Sequence, residues 1–107
     1  MSDARTARLC LVTHPRAGAG ELARSLVERR IAACVNQIEA TSVYSWEGAV
    51  EADAEVLLLI KTTAERLPEL EAVLAAEHPY DVPELIALEP AAVGRAYLAW
   101  WNGATAR

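Results

Sequence analysis

Four side chains in this sequence are natural ligands for copper or zinc: His14, His78, Cys10 and Cys34, its whole complement of histidine and cysteine. Imidazole nitrogen and thiolate sulfur suit such cations, and a carboxylate such as Glu77 would add a harder oxygen donor. No two of them stand in the close CxxC or HxxxH relation, so spacing alone gives no metal motif. Pro79 disfavours helical geometry in the residue before it, which places His78 at the end of a helix. An imidazolium there would face the negative end of the helix dipole. Cys34 and Cys10 read first as small buried hydrophobes. Catalytic chemistry has less support. There is no GxSxG and no HExxH, and "HPRAGAGEL" (14–22) lacks the Lys-Ser/Thr ending of a phosphate loop. The expectation is a protein that is not an enzyme.

A second stretch, "HPYDVPELIAL" (78–88), sets a histidine, two prolines four apart, a tyrosine and two acids against an apolar run. Pro79 and Pro83 restrict the backbone on either side of Tyr80 and Asp81, so Tyr80 and Glu84 are held in fixed directions. This reads as a rigid elbow leading into a strand. The aromatic residues are three tryptophans and three tyrosines, with no phenylalanine. Such side chains pair apolar area with a polar tip, which suits interfaces. Trp46, just before Glu47-Gly48, is expected to anchor a hairpin tip and pack on a neighbouring subunit.

These residues need elements to position them. "RLCLVTH" (8–14) reads as a strand and "RAGAG" (16–20) as a loop. "ELARSLVERRIAA" (21–33) reads as a helix, with Leu22, Leu26, Val27 and Ile31 on its apolar side. Residues 34–63 read as two long strands turning at Glu47-Gly48. Glu51, Asp53 and Glu55 alternate with Val50, Ala52, Ala54 and Val56, and then "VLLLI" is apolar on both faces. Thr62 and Glu65 have capping-box spacing, and Pro68 favours a helix starting between 63 and 68 and stopping at His78. "PELIALE" (83–89) reads as a further strand. "AAVGRAYLAWWNG" (91–103) reads as a short helix with Gly103 as its breaker.

Strand-helix-strand given twice makes an α+β, ferredoxin-like split βαβ sandwich with a C-terminal helix. Two helices would cover one sheet face. The other ordinarily reads polar at alternate positions, yet "LCLV", "VYSW", "VLLLI" and "LIAL" carry large apolar groups on both faces. Leaving several of these wet forfeits ~1.5–3 kcal/mol each, enough to drive self-assembly. At 107 residues the chain suits one domain, 1–107. A net charge of -5 without a basic stripe argues against nucleic acid. No apolar run approaches a membrane span, and the first residues lack the order of a secretory signal. A cytoplasmic protein with reduced thiols is expected.

The words "ERRIAACVN", "SVYSWEG", "EVLLLIKTT", "HPYDVPELIAL" and "AYLAWW" occur in the order seen in the CutA, or divalent-cation-tolerance, proteins, and the resemblance runs from Leu9 to Asn102. It implies a ferredoxin-like subunit, a stable homotrimer similar to the PII signalling proteins, and a link to copper and other divalent metals. It implies no catalytic reaction. His78 matches a histidine of copper-linked relatives, which makes it a candidate ligand with Cys34. Those relatives carry a cysteine where Val12 stands and a histidine where Glu77 stands; His14, two residues after Val12 on the same strand face, is the substitute. The resemblance also implies clefts between subunits, for which Trp46, Glu47, Lys61, Tyr80 and Glu84 are the candidate lining. A small metabolite in such clefts, as in PII relatives, is the alternative to a metal.

Overall fold

A computed structural model describes residues 6–107. The domain span expected from the sequence starts five residues earlier, outside the described residues. The elements run β1 (Ala7–Pro15), α1 (Arg16–Glu28), β2 (Cys34–Trp46), β3 (Ala49–Thr63), α2 (Leu67–Glu77), β4 (Ile86–Leu88) and α3 (Arg95–Thr105), with a 3-10 turn at Ala64–Arg66 before α2. The four strands form one antiparallel sheet in the order β2-β3-β1-β4, which is the split βαβ arrangement.

Strand alternation sorts the side chains. Cys10 and Val12 of β1 and Leu58 and Ile60 of β3 face α1 and α2, where they pack with Leu22, Leu26, Leu70, Val73 and Leu74. This is the main core, and each fully buried leucine or isoleucine stabilises it by roughly 1.5–3 kcal/mol. Leu9, Leu11, Leu57 and Leu59 share the opposite face, together with Ile38, Ile86 and Leu88, which stay between 45% and 47% exposed. α3 covers only one end of that face, where Leu98 and Trp101 cluster with Ala7 and Ala33. The apolar open face expected from the sequence is therefore present, apart from that end.

The long hairpin gives the subunit its 48 × 25 × 22 Å shape. Its tip is a two-residue turn with both Glu47 (φ 49°) and Gly48 (φ 83°) in the left-handed region, the turn that matches strand twist.

Four local expectations are corrected. The strand expected over 83–89 is only Ile86–Leu88: Pro83 has no N–H to give, and the chain reaches β1 only opposite Leu9–Leu11. Gly103 does not break the last helix, which continues to Thr105, whose hydroxyl donates back to the Trp101 carbonyl. The first helix stops at Glu28 rather than 33, because Arg30 turns left-handed (φ 59°) and swings Ile31 into the core. The capping box at Thr62 does not form, since the Thr62 hydroxyl donates to the Ile31 carbonyl at 2.5 Å instead. The "RAGAG" loop is half right: α1 begins at Arg16, but Ala17 and Gly18 (φ 87°) are non-helical.

Candidate functional site

β4 ends opposite Leu11, so β1 is an unpaired edge from Val12 onward. His78 fills that gap. Its Nε2–H donates to the Thr13 carbonyl at 2.8 Å, and its Nδ1 accepts the Tyr80 backbone N–H at 3.0 Å. One tautomer satisfies both bonds, and it is neutral. Burial pushes the imidazole below its ordinary pKa, and nearby His14 adds to the effect. The expected imidazolium at the end of α2 is thus corrected: His78 is a neutral plug in the sheet edge. His14 packs edge-on against it at 4.8 Å and donates Nδ1–H to the Pro15 carbonyl at 2.7 Å.

These bonds decide the fit of a soft metal. Both His78 nitrogens are committed to backbone. Cys34 pairs with Lys61 on the open face, whereas His14 pairs with Val56 on the helix face, several strand positions away. His14, His78 and Cys34 cannot meet around one ion within the chain, and among the described residues no group of three or more His, Cys, Asp or Glu side chains is placed to hold one. Val12 is buried in the core and Glu77 is paired with Arg29 at 3.0 Å, so neither departure from the copper-linked pattern is compensated. The residues do not fit a copper centre inside one subunit.

The elbow does more. From His78 the chain passes around the sheet edge, and the Tyr80 hydroxyl donates to Glu55 Oε2 at 2.6 Å. Glu55 belongs to β3 and is only 4% exposed. By strand parity it shares the open face with Thr13 and Ser42. Next to it the Tyr44 hydroxyl donates to Asp53. Tyr44, Glu55 and Tyr80, together with Trp46, Val43, Val82 and Glu84, wall a cleft of about 690 Å³ between the hairpin and the elbow. Among the described residues no lysine, arginine or histidine lines it. That anionic setting shows in its titratable groups. Its hydrogen bond to Asp53 pushes the Tyr44 phenol up to about 12, and burial with the Glu55 bond pushes Tyr80 well above the usual tyrosine range. Burial and the Glu55 charge also raise Glu84.

Three of the five residues expected to line a cleft therefore come together: Trp46, Tyr80 and Glu84. Glu47 stays exposed at the hairpin tip. Lys61 is elsewhere in the chain: it lies six positions beyond Glu55 on β3, about 20 Å at ~3.3 Å per residue. There its ammonium donates to the Tyr97 hydroxyl at 3.0 Å and to Cys34 Sγ at 3.9 Å. Sequence reasoning missed Glu55 and Tyr44 as cleft residues. The available signal was position: Glu55 is the last acid before "VLLLI", where alternation carries a carboxylate under the rim of an apolar sheet.

A ferredoxin-like sandwich with one bare apolar face and an anionic cleft under its hairpin defines a small α+β protein of the PII-like kind. Residues 8–104 match the CutA1 divalent ion tolerance protein family, and the chain belongs to that family. It is 50% identical over 80 residues to the divalent-cation tolerance protein CutA of Thermus thermophilus, covering 74% of this chain and 78% of that protein. It is 47% identical over 83 residues to the human protein CutA, covering 77% of this chain but 46% of that longer one, so it spans about half of the human relative. Among solved structures it superposes with TM-score 0.88 on the PII-like protein CutA from Nostoc in its apo form, at 35% identity over 92% of this chain and 97% of that one.

Proposed function

We propose that the protein is a non-enzymatic, cytoplasmic divalent-cation tolerance or response protein that works as a homotrimer, with its ligand site in the clefts between subunits. The observation that carries this is the pairing of an anionic cleft at one end of the bare face with a lysine stranded at the other. Within one subunit Lys61 is about 20 Å from Glu55, so only a neighbouring copy can bring the two together. Association through Leu11, Leu57, Leu59 and Ile86 would bury the apolar face and set one copy's Lys61 near another's Glu55 and Glu84. The number three rests on the family resemblance.

Family membership supports the link to divalent cations. The site chemistry supports a hard cation more than copper, because the cleft offers carboxylate and hydroxyl oxygens and no free imidazole or thiol. A second reading, a small metabolite, is favoured by the size of the cleft and by the apolar surface of Trp46, Val43 and Val82, which an ion alone would not use.

Two measurements test this. Sedimentation of a dilute sample is expected to give a single trimeric species, and folded single chains would sink the assembly. Calorimetry with manganese, zinc and copper, beside a thermal-shift panel of nucleotides and organic acids, is expected to find at least one ligand whose binding weakens in Glu55→Gln. Binding that ignores Glu55→Gln would remove the site from the cleft.

A further inference from the structure

Cys34 and Lys61 stand directly opposite each other on β2 and β3, on the same sheet face. Lys61 Nζ donates toward Cys34 Sγ at 3.9 Å. The thiol in turn donates to Asn36 Oδ1 at 3.7 Å, which leaves the sulfur able to accept from the ammonium. Tyr97 fixes the amine from α3, with its hydroxyl at 3.0 Å and its ring centre 5.4 Å from Nζ. Cys34 and Lys61 are both partly exposed, within reach of a small dissolved oxidant. The other thiol serves as an internal contrast. Cys10 is fully buried on the opposite face, and burial pushes it up to about 11, so it is neither reachable nor a partner for a disulfide with Cys34. A nitrogen–sulfur distance of 3.9 Å is a contact, and one bridging oxygen would join the two atoms after the flexible Lys61 side chain closes the remaining gap.

We propose that Cys34 and Lys61 are a redox-modification site, at which dioxygen joins them reversibly as Sγ–O–Nζ. The Tyr97 hydrogen bond raises the Lys61 pKa, so Nζ releases its ammonium proton to solvent only in the small fraction of molecules that alkaline buffer deprotonates, and the step starts from that neutral amine. The Sγ–H bond and one Nζ–H bond then break. One oxygen atom ends between sulfur and nitrogen, and the other leaves as water with the two hydrogens. Sulfur and nitrogen give up two electrons each, and the four reduce dioxygen. The bridge ties β2 to β3 and removes the positive charge of Lys61 while it lasts. A thiol reductant returns the thiol and the amine. The bridge joins two residues of one subunit; the association proposed above bears on how readily an oxidant reaches them, not on which atoms are joined.

The test is the intact mass of the full chain after incubation in air-saturated, mildly alkaline buffer, with an anaerobic sample alongside. The expected result is a gain of one oxygen less two hydrogens, about 14 Da, seen only in air and reversed by a thiol reductant. Peptide mapping should join the peptide containing Cys34 to the one containing Lys61. Lys61→Arg and Cys34→Ser should both lack the gain. Because the decisive reading is on the unaltered protein, a variant that folds poorly does not leave the matter open. An unchanged mass in air overturns the proposal. So does oxidation of Cys34 to the same extent in Lys61→Arg, which would mean an ordinary sulfenic acid without help from the amine.

Discussion

His78 and Glu55 are both polar, both nearly buried and both linked to Tyr80, yet they face opposite chemical situations. His78 is bonded to backbone on both sides, to the Thr13 carbonyl and the Tyr80 amide. Glu55 is bonded to a side-chain hydroxyl beside an open cleft. A backbone group cannot leave without unmaking the fold, whereas a tyrosine hydroxyl can rotate away and yield its place to a ligand. The difference separates a residue that completes the sheet from one that is available for binding. It also explains why the most suggestive metal ligand in the sequence is the poorest one in three dimensions.

The strongest test of that contrast concerns the whole open face. Leu59→Asp sets a charge amid Leu11, Leu57 and Asn36. A lone subunit should tolerate it, since α3 covers only the far end of this face. An assembly would bury an unpaired carboxylate at every contact, weakening each by about 3–5 kcal/mol, or more than a hundredfold. Sedimentation should then show folded monomers where the unaltered chain is associated; an unaffected oligomer would place the interface elsewhere.

Next in size is His78→Ala. It strands the Thr13 carbonyl at the sheet edge, frees the Tyr80 amide and leaves a hole beside His14, for a loss of about 2–4 kcal/mol in denaturant unfolding. Any metal heat seen for the unaltered protein should survive in the fraction that remains folded. Heat that disappears while the protein stays folded would restore His78 as a ligand. The pH dependence runs in the same direction. A histidine whose folded pKa is lowered takes its proton more readily when unfolded, so its contribution is full above about 6.5 and fades as pH falls below that value. His78→Gln should flatten that part of the stability curve.

Much of this was legible in the residues. Period-two alternation in "VEADAEV", the Glu47-Gly48 turn and the two helical stripes fix the strand-helix order, and apolar runs on both faces foretell a bare sheet. Local words also placed Trp46, Tyr80 and Glu84 at one boundary. The lining expected from the sequence overlooked distance along a strand: Lys61 and Glu55 share β3 and a face, so parity groups them, but six residues at ~3.3 Å each hold them apart. Nor could the sequence reveal that β4 is only three residues long. That shortness is what leaves the Thr13 carbonyl unpaired and gives His78 its structural partner. Gly103 misled for a related reason: a glycine tolerated inside a helix looks like a stop until tertiary packing of Trp101 carries the helix past it.

The smallest effect bears most directly on the cleft. Glu55→Gln keeps an acceptor for the Tyr80 hydroxyl but removes the charge. Tyr80 is held above the ordinary tyrosine value first by burial and then by Glu55, so the substitution should lower its ionisation part of the way toward about 10 and no further. The sign carries through to stability. A phenol whose folded pKa is raised loses its proton first in the unfolded chain, so the folded state loses ground as pH rises above about 10. That alkaline decline should be shallower in Glu55→Gln. Tyr44, pushed up to about 12 chiefly by its bond to Asp53 and only in a lesser part by the Glu55 charge, should keep most of its own share of the decline in both proteins. Phenolate absorbance against pH, with Tyr80→Phe to identify the signal, reads this directly. If Tyr80 titrates alike with and without the Glu55 charge, the two groups are not coupled across the cleft, and the distinction between a residue of the fold and a residue of the site loses its chief support.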